Sequence, residues 1–144
     1  MKKLTGMFVA MVIVSFSYAQ KIAEKEVPAA VKSAFQKQFP DVKDVDWEKE
    51  KGNYEVEFEI KETEYSVLLD ASGTILETEM EINVDALPSN VRDYVSKNHV
   101  GEKIKEAAKI SDSKGTITYE AEIKGKDLIF DSNGNFVKEV NNKD

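Results

Sequence analysis

His99 is the only histidine in the chain, and so the only side chain whose ordinary pKa suits proton transfer near neutrality. No serine-bearing nucleophile turn and no glycine-rich oxyanion loop accompanies it, so a hydrolytic triad cannot be assembled around it. Its place near the end of a helical pattern suits a half-buried or capping role instead. The chain contains no Cys, which removes disulfides, thiol nucleophiles and thiolate metal sites together. The remaining candidates are carboxylates. Glu55, Glu57 and Glu59 stand at alternate positions and invite comparison with a Ca²⁺ site. On one strand, residues i and i+2 lie about 6.5 Å apart, so a single ion would need ligands from other strands or loops. Asp131-Ser132-Asn133-Gly134-Asn135 begins like a calcium-binding loop, but its Gly stands fourth rather than sixth and no Glu follows at the twelfth position. Neither an activated nucleophile nor an acid–base pair emerges. The expectation is a chain without catalytic residues, cofactor or resident metal.

The elements that carry these residues are announced by a repeat. Val27-Pro28-x-x-Val31-Lys32 returns as Leu87-Pro88-x-x-Val91-Arg92, the segment Gly52 to Lys61 as Gly115 to Lys124, and Leu68 to Gly73 as Ile129 to Gly134. The offsets are 60, 63 and 61 residues, which places small indels between the blocks, where loops belong. Each unit opens with a short helix. Pro28 sits where a helix tolerates proline, and Ala30, Val31, Ala34, Phe35 and Phe39 follow a 3.6-residue stripe before Pro40 closes it. The second helix repeats the stripe with Leu87, Val91, Tyr94 and Val95, ending at Gly101. Strands follow at Val45 to Glu48, Tyr54 to Ile60, Tyr65 to Leu69 and Ile75 to Ile82, then at Thr116 to Ile123, Asp127 to Phe130 and Asn135 to Val140. Residues 102–110 read two ways. Ile104, Ala107 and Ala108 suit a helix, whereas the repeat argues for a strand. Asp70-Ala71-Ser72-Gly73 and Asp131-Ser132-Asn133-Gly134 carry the type I turn signature.

Strict alternation from Tyr54 to Ile60 predicts one buried and one wet face. Tyr54, Val56, Phe58 and Ile60 should meet the helices; Glu55, Glu57, Glu59, Thr118, Glu120 and Glu122 should face solvent. The expected architecture is α+β: two helix-plus-four-strand repeats, at about 27–82 and 87–140, forming one antiparallel sheet of up to eight strands with both helices on one face. Trp47 is the only Trp. Sharing a face with Val45, it suits the core; exposed, it would anchor a partner. Leu68 and Ile75 fall out of phase with the buried face and are candidates for an exposed, mixed surface.

Residues 1–19 read as a signal peptide. Lys2 and Lys3 precede an apolar run from Leu4 to Phe16, and Ser17-Tyr18-Ala19 offers a small-x-small cleavage site. The run is shorter than the roughly 20 residues of a membrane span. The domain is then residues 20–144, in the periplasm or secreted. The full chain has 20 Lys+Arg against 27 Asp+Glu, a net charge of −7. Cleavage would remove two lysines and leave −9. That balance disfavours nucleic acid and anionic lipid surfaces and favours solubility or a basic partner.

The ordered set of motifs resembles the PepSY-like bacterial exported domains. It comprises a Val/Leu-Pro helix opening, Phe39-Pro40 at the helix end, Trp47-Glu48, the strand from Gly52 to Phe58, and the Asp-x-x-Gly hairpin. The second unit departs from it: His99-Val100 replaces Phe39-Pro40, and Lys109 or Ile110 stands in place of Trp47. The resemblance implies a fold similar to β-lactamase-inhibitor protein. It also implies a non-catalytic module that binds a protein or peptide, inhibitory toward an envelope or secreted peptidase. The partner-binding candidates are Trp47, Glu55, Glu57, Glu59, Leu68, Ile75, Thr118, Glu120 and Glu122. The alternative is an envelope protein holding a cation or small cationic ligand on the acidic sheet face.

Overall fold

The computed structural model describes residues 19–141, and the signal peptide expected over residues 1–19 falls outside them but for Ala19. Nine strands make one antiparallel sheet in which each pairs with its neighbours in sequence: β1 (Gln20–Ile22), β2 (Val45–Glu50), β3 (Asn53–Ile60), β4 (Thr63–Leu69), β5 (Ile75–Ile82), β6 (Glu106–Asp112), β7 (Ile117–Ile123), β8 (Lys126–Asp131) and β9 (Phe136–Asn141). Helix α1 (Ala29–Gln38) connects β1 to β2, and α2 (Ser89–Asn98) connects β5 to β6.

The sheet has one strand more than expected, and the repeat explains it. Gln20 to Ile22 lies 60 residues ahead of Met80 to Ile82. Ile22 pairs with Trp47 on β2 as Ile82 pairs with Ala107 on β6. A short 3-10 turn then leads into each helix, at Glu24–Glu26 and Val84–Ala86. β6 settles the ambiguous stretch: residues 106–112 are extended, because β5 and β7 both pair with them. Two unsatisfied sheet edges would be the cost of a helix there.

Both helices lie on one face and bury one stripe each. Val31 and Phe35 of α1 pack with Val27, Trp47, Tyr54, Val56, Phe58, Val67 and Leu69. Val91 and Val95 of α2 pack with Leu87, Ile104, Ala107, Ala121, Ile123, Leu128 and Phe130. Trp47 is 4% exposed and meets Phe35 edge-on at 5.7 Å. It is therefore core, and the reading of Trp47 as a surface anchor is corrected. Ile75 is corrected too: it is half-buried against the α1 cluster, because the pairing shifts register at Leu68/Leu69 and returns Ile75 to the helix side opposite Leu69. Ala30, expected in the buried stripe, is exposed; the Asp70 turn approaches its carbonyl instead.

Candidate functional site

The side chains that alternate away from the helices form a second surface, and it is not uniformly wet. Pairing places Glu55 beside Leu68, Glu57 beside Ser66, and Ser66 beside Glu79. Across the junction of the two halves, Glu79 lies beside Ile110 and Glu81 beside Ala108. Ala108 in turn faces Glu120, which faces Ile129, while Glu122 faces Asp127. Of these, Glu55, Ser66, Glu79, Ala108, Ile110, Glu120, Asp127 and Ile129 are buried. With the helices on the opposite side, the sheet must curl this face inward to remove those groups from water. Matched register shifts at Leu68/Leu69 and Ile129/Phe130 supply added local twist.

This corrects the sequence expectation for Glu55 and Glu120, which are 3% and 6% exposed. Glu57, Glu122, Thr118 and Leu68 are half-buried around them, and Glu59 is exposed. The face assignment was right; its wetness was not.

Burial controls the chemistry of the carboxyls. Desolvation pushes Glu55 up to about 8, against the lowering pull of a 2.5 Å hydrogen bond donated by the Ser66 hydroxyl. Desolvation, then the charges of Glu48 and Asp46, pushes Glu57 up to about 7. Glu79 is raised to about 8 by burial first and by Glu55 and Asp127 second. Glu120 is raised well above the usual carboxylate range by burial, then by Glu79 and Asp127. Glu55 and Glu79 hold their protons at neutrality and Glu57 is about half ionised there, so the middle of the acidic face carries less charge than its composition suggests. One oxygen each of Glu79 and Glu120 is buried without a hydrogen-bond partner among the described residues. An unsatisfied buried polar group costs on the order of 1–3 kcal/mol.

Among the described residues no three His, Cys, Asp or Glu side chains are arranged to hold a metal ion. Asp131 instead accepts hydrogen bonds at 2.9 Å from the backbone N–H groups of Asn133 and Asn135, as a tight turn requires. His99 follows the last turn of α2, its N–H bonded to the Val95 carbonyl at 2.9 Å and its Nδ1 lying 3.2 Å from Glu102.

Ser66, Glu79 and Asp127 were not singled out from sequence. A signal was present in β8, where Leu128-Ile129-Phe130 runs apolar without alternation, the mark of a strand covered on both faces. Asp127 is the buried charged residue in that strand, whose ends Lys126 and Asp131 are half-buried. The alternating Leu76 to Glu81 segment gave no such sign, and Glu79 reads there like any wet glutamate.

The family model described as "Putative beta-lactamase-inhibitor-like, PepSY-like" matches residues 15–77 and again 63–138. No curated protein matches the chain. Among solved structures, a "putative periplasmic" protein of Bacteroides eggerthii superposes with a TM-score of 0.71 at 13% identity, covering 80% of this chain and 88% of its own. A DUF2874 family protein of Bacteroides ovatus gives 0.68 at 20% identity, over 79% and 86%. A BLIP-like protein of Bacteroides fragilis gives 0.63 at 22% identity, over 81% and 89%. At these identities the likeness is one of fold.

Proposed function

The chain belongs to the beta-lactamase-inhibitor-like, PepSY-like family, and on that premise we propose that it is a non-catalytic, exported binding module. Its partner is a protein or peptide docked on the sheet face opposite the helices. One observation carries the reading: two helices cover one side of a nine-stranded sheet, and the other side gathers apolar Leu68, Ile110 and Ile129 around Glu79 and Glu120, each of which keeps one buried oxygen without a hydrogen bond among the described residues. A face built only for solubility has no reason to hold acids out of water. Export is supported by the leader pattern and by the periplasmic description of a fold relative. Among the described residues no helix is long and apolar enough to cross a membrane. The finer proposal is that docking inhibits an envelope or secreted peptidase.

Exposed or half-exposed acids contribute mainly to steering, which raises association rates at low salt. The test is affinity capture from the native envelope with residues 20–144 as bait, followed by kinetics of the captured partner on Glu57→Lys/Glu59→Lys. A slower on-rate with a shallower salt dependence is expected. Unchanged kinetics at low salt would move the site to the helices or loops. The rival reading of a bound cation keeps the unpaired oxygens of Glu79 and Glu120 in its favour, but lacks a convergent ligand set among the described residues.

A further inference from the structure

The buried carboxyls at the junction of the two halves have a geometry of their own. Glu79 leaves β5 and Glu120 leaves β7, with β6 between them. Directly beside Glu120 on β6 stands Ala108, and beside Glu79 stands Ile110, both buried. Glu79 and Glu120 are 4% and 6% exposed, and each keeps one oxygen with no protein partner. Their charges couple to each other, and both couple to Asp127. Two coupled acids, desolvated and each left with one unsatisfied oxygen among the described residues, are costly in the free protein and suited to a donor brought by a docking partner.

Resting on the docking reading above, we propose that Glu79 and Glu120, flanked by Glu55 and Asp127, receive the ammonium or guanidinium group of one basic side chain presented by the docked protein. Charge complementarity selects this occupant. The face around the pair is acidic from β2 through β8: Asp46, Glu48 and Glu50 on β2, Glu55 and Glu57 on β3, Glu64 on β4, Glu77 and Glu81 on β5, Glu106 and Asp112 on β6, Glu122 on β7 and Asp127 on β8. Basic groups acting on this surface are Lys21 and Lys138 on the two edge strands and Lys105 at the entry to β6. A metal ion fits less well, for no three ligands converge among the described residues. A lysine or arginine brings its own apolar stem, which Leu68, Ile110 and Ile129 can cover. Because burial raises Glu79 to about 8 and pushes Glu120 in the same direction, an incoming cation favours release of a proton as its ion pair forms. Binding and proton release are therefore linked.

The probe is the acetylated, amidated tripeptide trilysine, titrated calorimetrically into residues 20–144 at pH 7 and low salt in two buffers of different ionisation enthalpy. The expected result is binding with release of about one proton, visible as a buffer-dependent heat. Its Nε-acetylated analogue should bind at least tenfold more weakly. Glu79→Gln/Glu120→Gln, with its fold checked by circular dichroism, should lose the proton release and weaken trilysine about tenfold. Asp93→Asn, exposed on α2 and away from the sheet face, should retain both. Carboxyl carbon NMR shifts of Glu79 and Glu120 should move to ionised values on adding trilysine. Absence of proton release, or equal binding by the double variant, overturns the proposal. Proton release by Ca²⁺ alone, with trilysine silent, overturns it in favour of an ion site. A captured partner that cross-links to position 68 or 129 yet tolerates the double variant would sink this receptor while sparing the docking face. A partner that cross-links only to the helices removes both.

Discussion

The half built from α1 and β2–β5 and the half built from α2 and β6–β9 share a scaffold and fill it differently. In the first, aromatic rings dominate: Phe58 lies 5.1 Å from Phe35, 4.7 Å from Phe39 and 5.5 Å from Tyr65. At the position 63 residues later stands Ala121, and the second core is made of Val91, Val95, Ala107, Ile123 and Leu128. Its rings gather at the edge, where Tyr94 stacks on Phe136 at 4.6 Å and meets Phe130 edge-on at 5.5 Å. Pattern and turn chemistry keep the backbone constant while volume moves between positions, as repacked cores allow. The far face differs in a second way. Glu55 has its hydroxyl donor in Ser66, whereas Glu120 faces Ile129 and keeps a bare oxygen. A satisfied buried acid is a structural part; an unsatisfied one is a candidate for recognition.

The largest effect should come from the aromatic half. Phe58→Ala is expected to destabilise by roughly 3–5 kcal/mol in denaturant melts, through lost transfer energy and a cavity. Glu59→Ala, exposed on the next position, should stay within about 0.5 kcal/mol. Equal losses would contradict the two-faced sheet.

The second effect separates the acids. Glu55 and Glu79 at about 8 and Glu57 at about 7 bind protons more tightly folded than unfolded. Their contribution to stability is therefore fully present below the ordinary carboxylate value and is lost as pH rises from about 4.5 through 8. Chemical denaturation should show the protein less stable at pH 8.5 than at pH 5, by at least the roughly 2–4 kcal/mol that one such acid supplies. Glu79→Gln/Glu120→Gln should flatten that slope more than Glu55→Gln, whose carboxyl already has Ser66. A flat profile in the unmodified protein would mean these carboxyls are hydrated.

Next come the two turns that dock on the helix starts. Gly73 has φ +90°, and a Cβ there would stand 2.6 Å from the Ala30 carbonyl oxygen. Gly134 has φ +79° and would collide with the Asn90 side chain, which donates to the Asn133 carbonyl at 2.8 Å. Gly73→Ala should cost roughly 2–3 kcal/mol and Gly134→Ala about 1–2, because a side chain can swing aside and a helix carbonyl cannot. Thermal melts that reverse this order would break the equivalence of the turns.

The smallest effect is a gain. Glu62 has φ +64°, where the second half has Gly125 at +74°. Glu62→Gly should raise stability by about 0.5–1 kcal/mol by relieving left-handed strain, read as a higher denaturant midpoint.

The sequence by itself determined the two helices, the sequential antiparallel strands, the Asp-x-x-Gly turns and, away from the register shift that turns Ile75 to the helix side, the side of the sheet its alternating residues take. Those follow from local periodicity and from backbone demands that neighbouring residues meet. Tertiary structure alone decided three matters. β1 forms only because β2 offers Trp47 and its neighbours as a pairing edge. Residues 106–112 are a strand because β5 and β7 flank them, although Ala107 and Ala108 suit a helix locally. The acids of the far face are buried because twist accumulates across nine strands and two register shifts. Alternation assigns a glutamate to a face, but how far that face curls shut depends on the whole sheet, and so does whether Glu79 and Glu120 carry a proton.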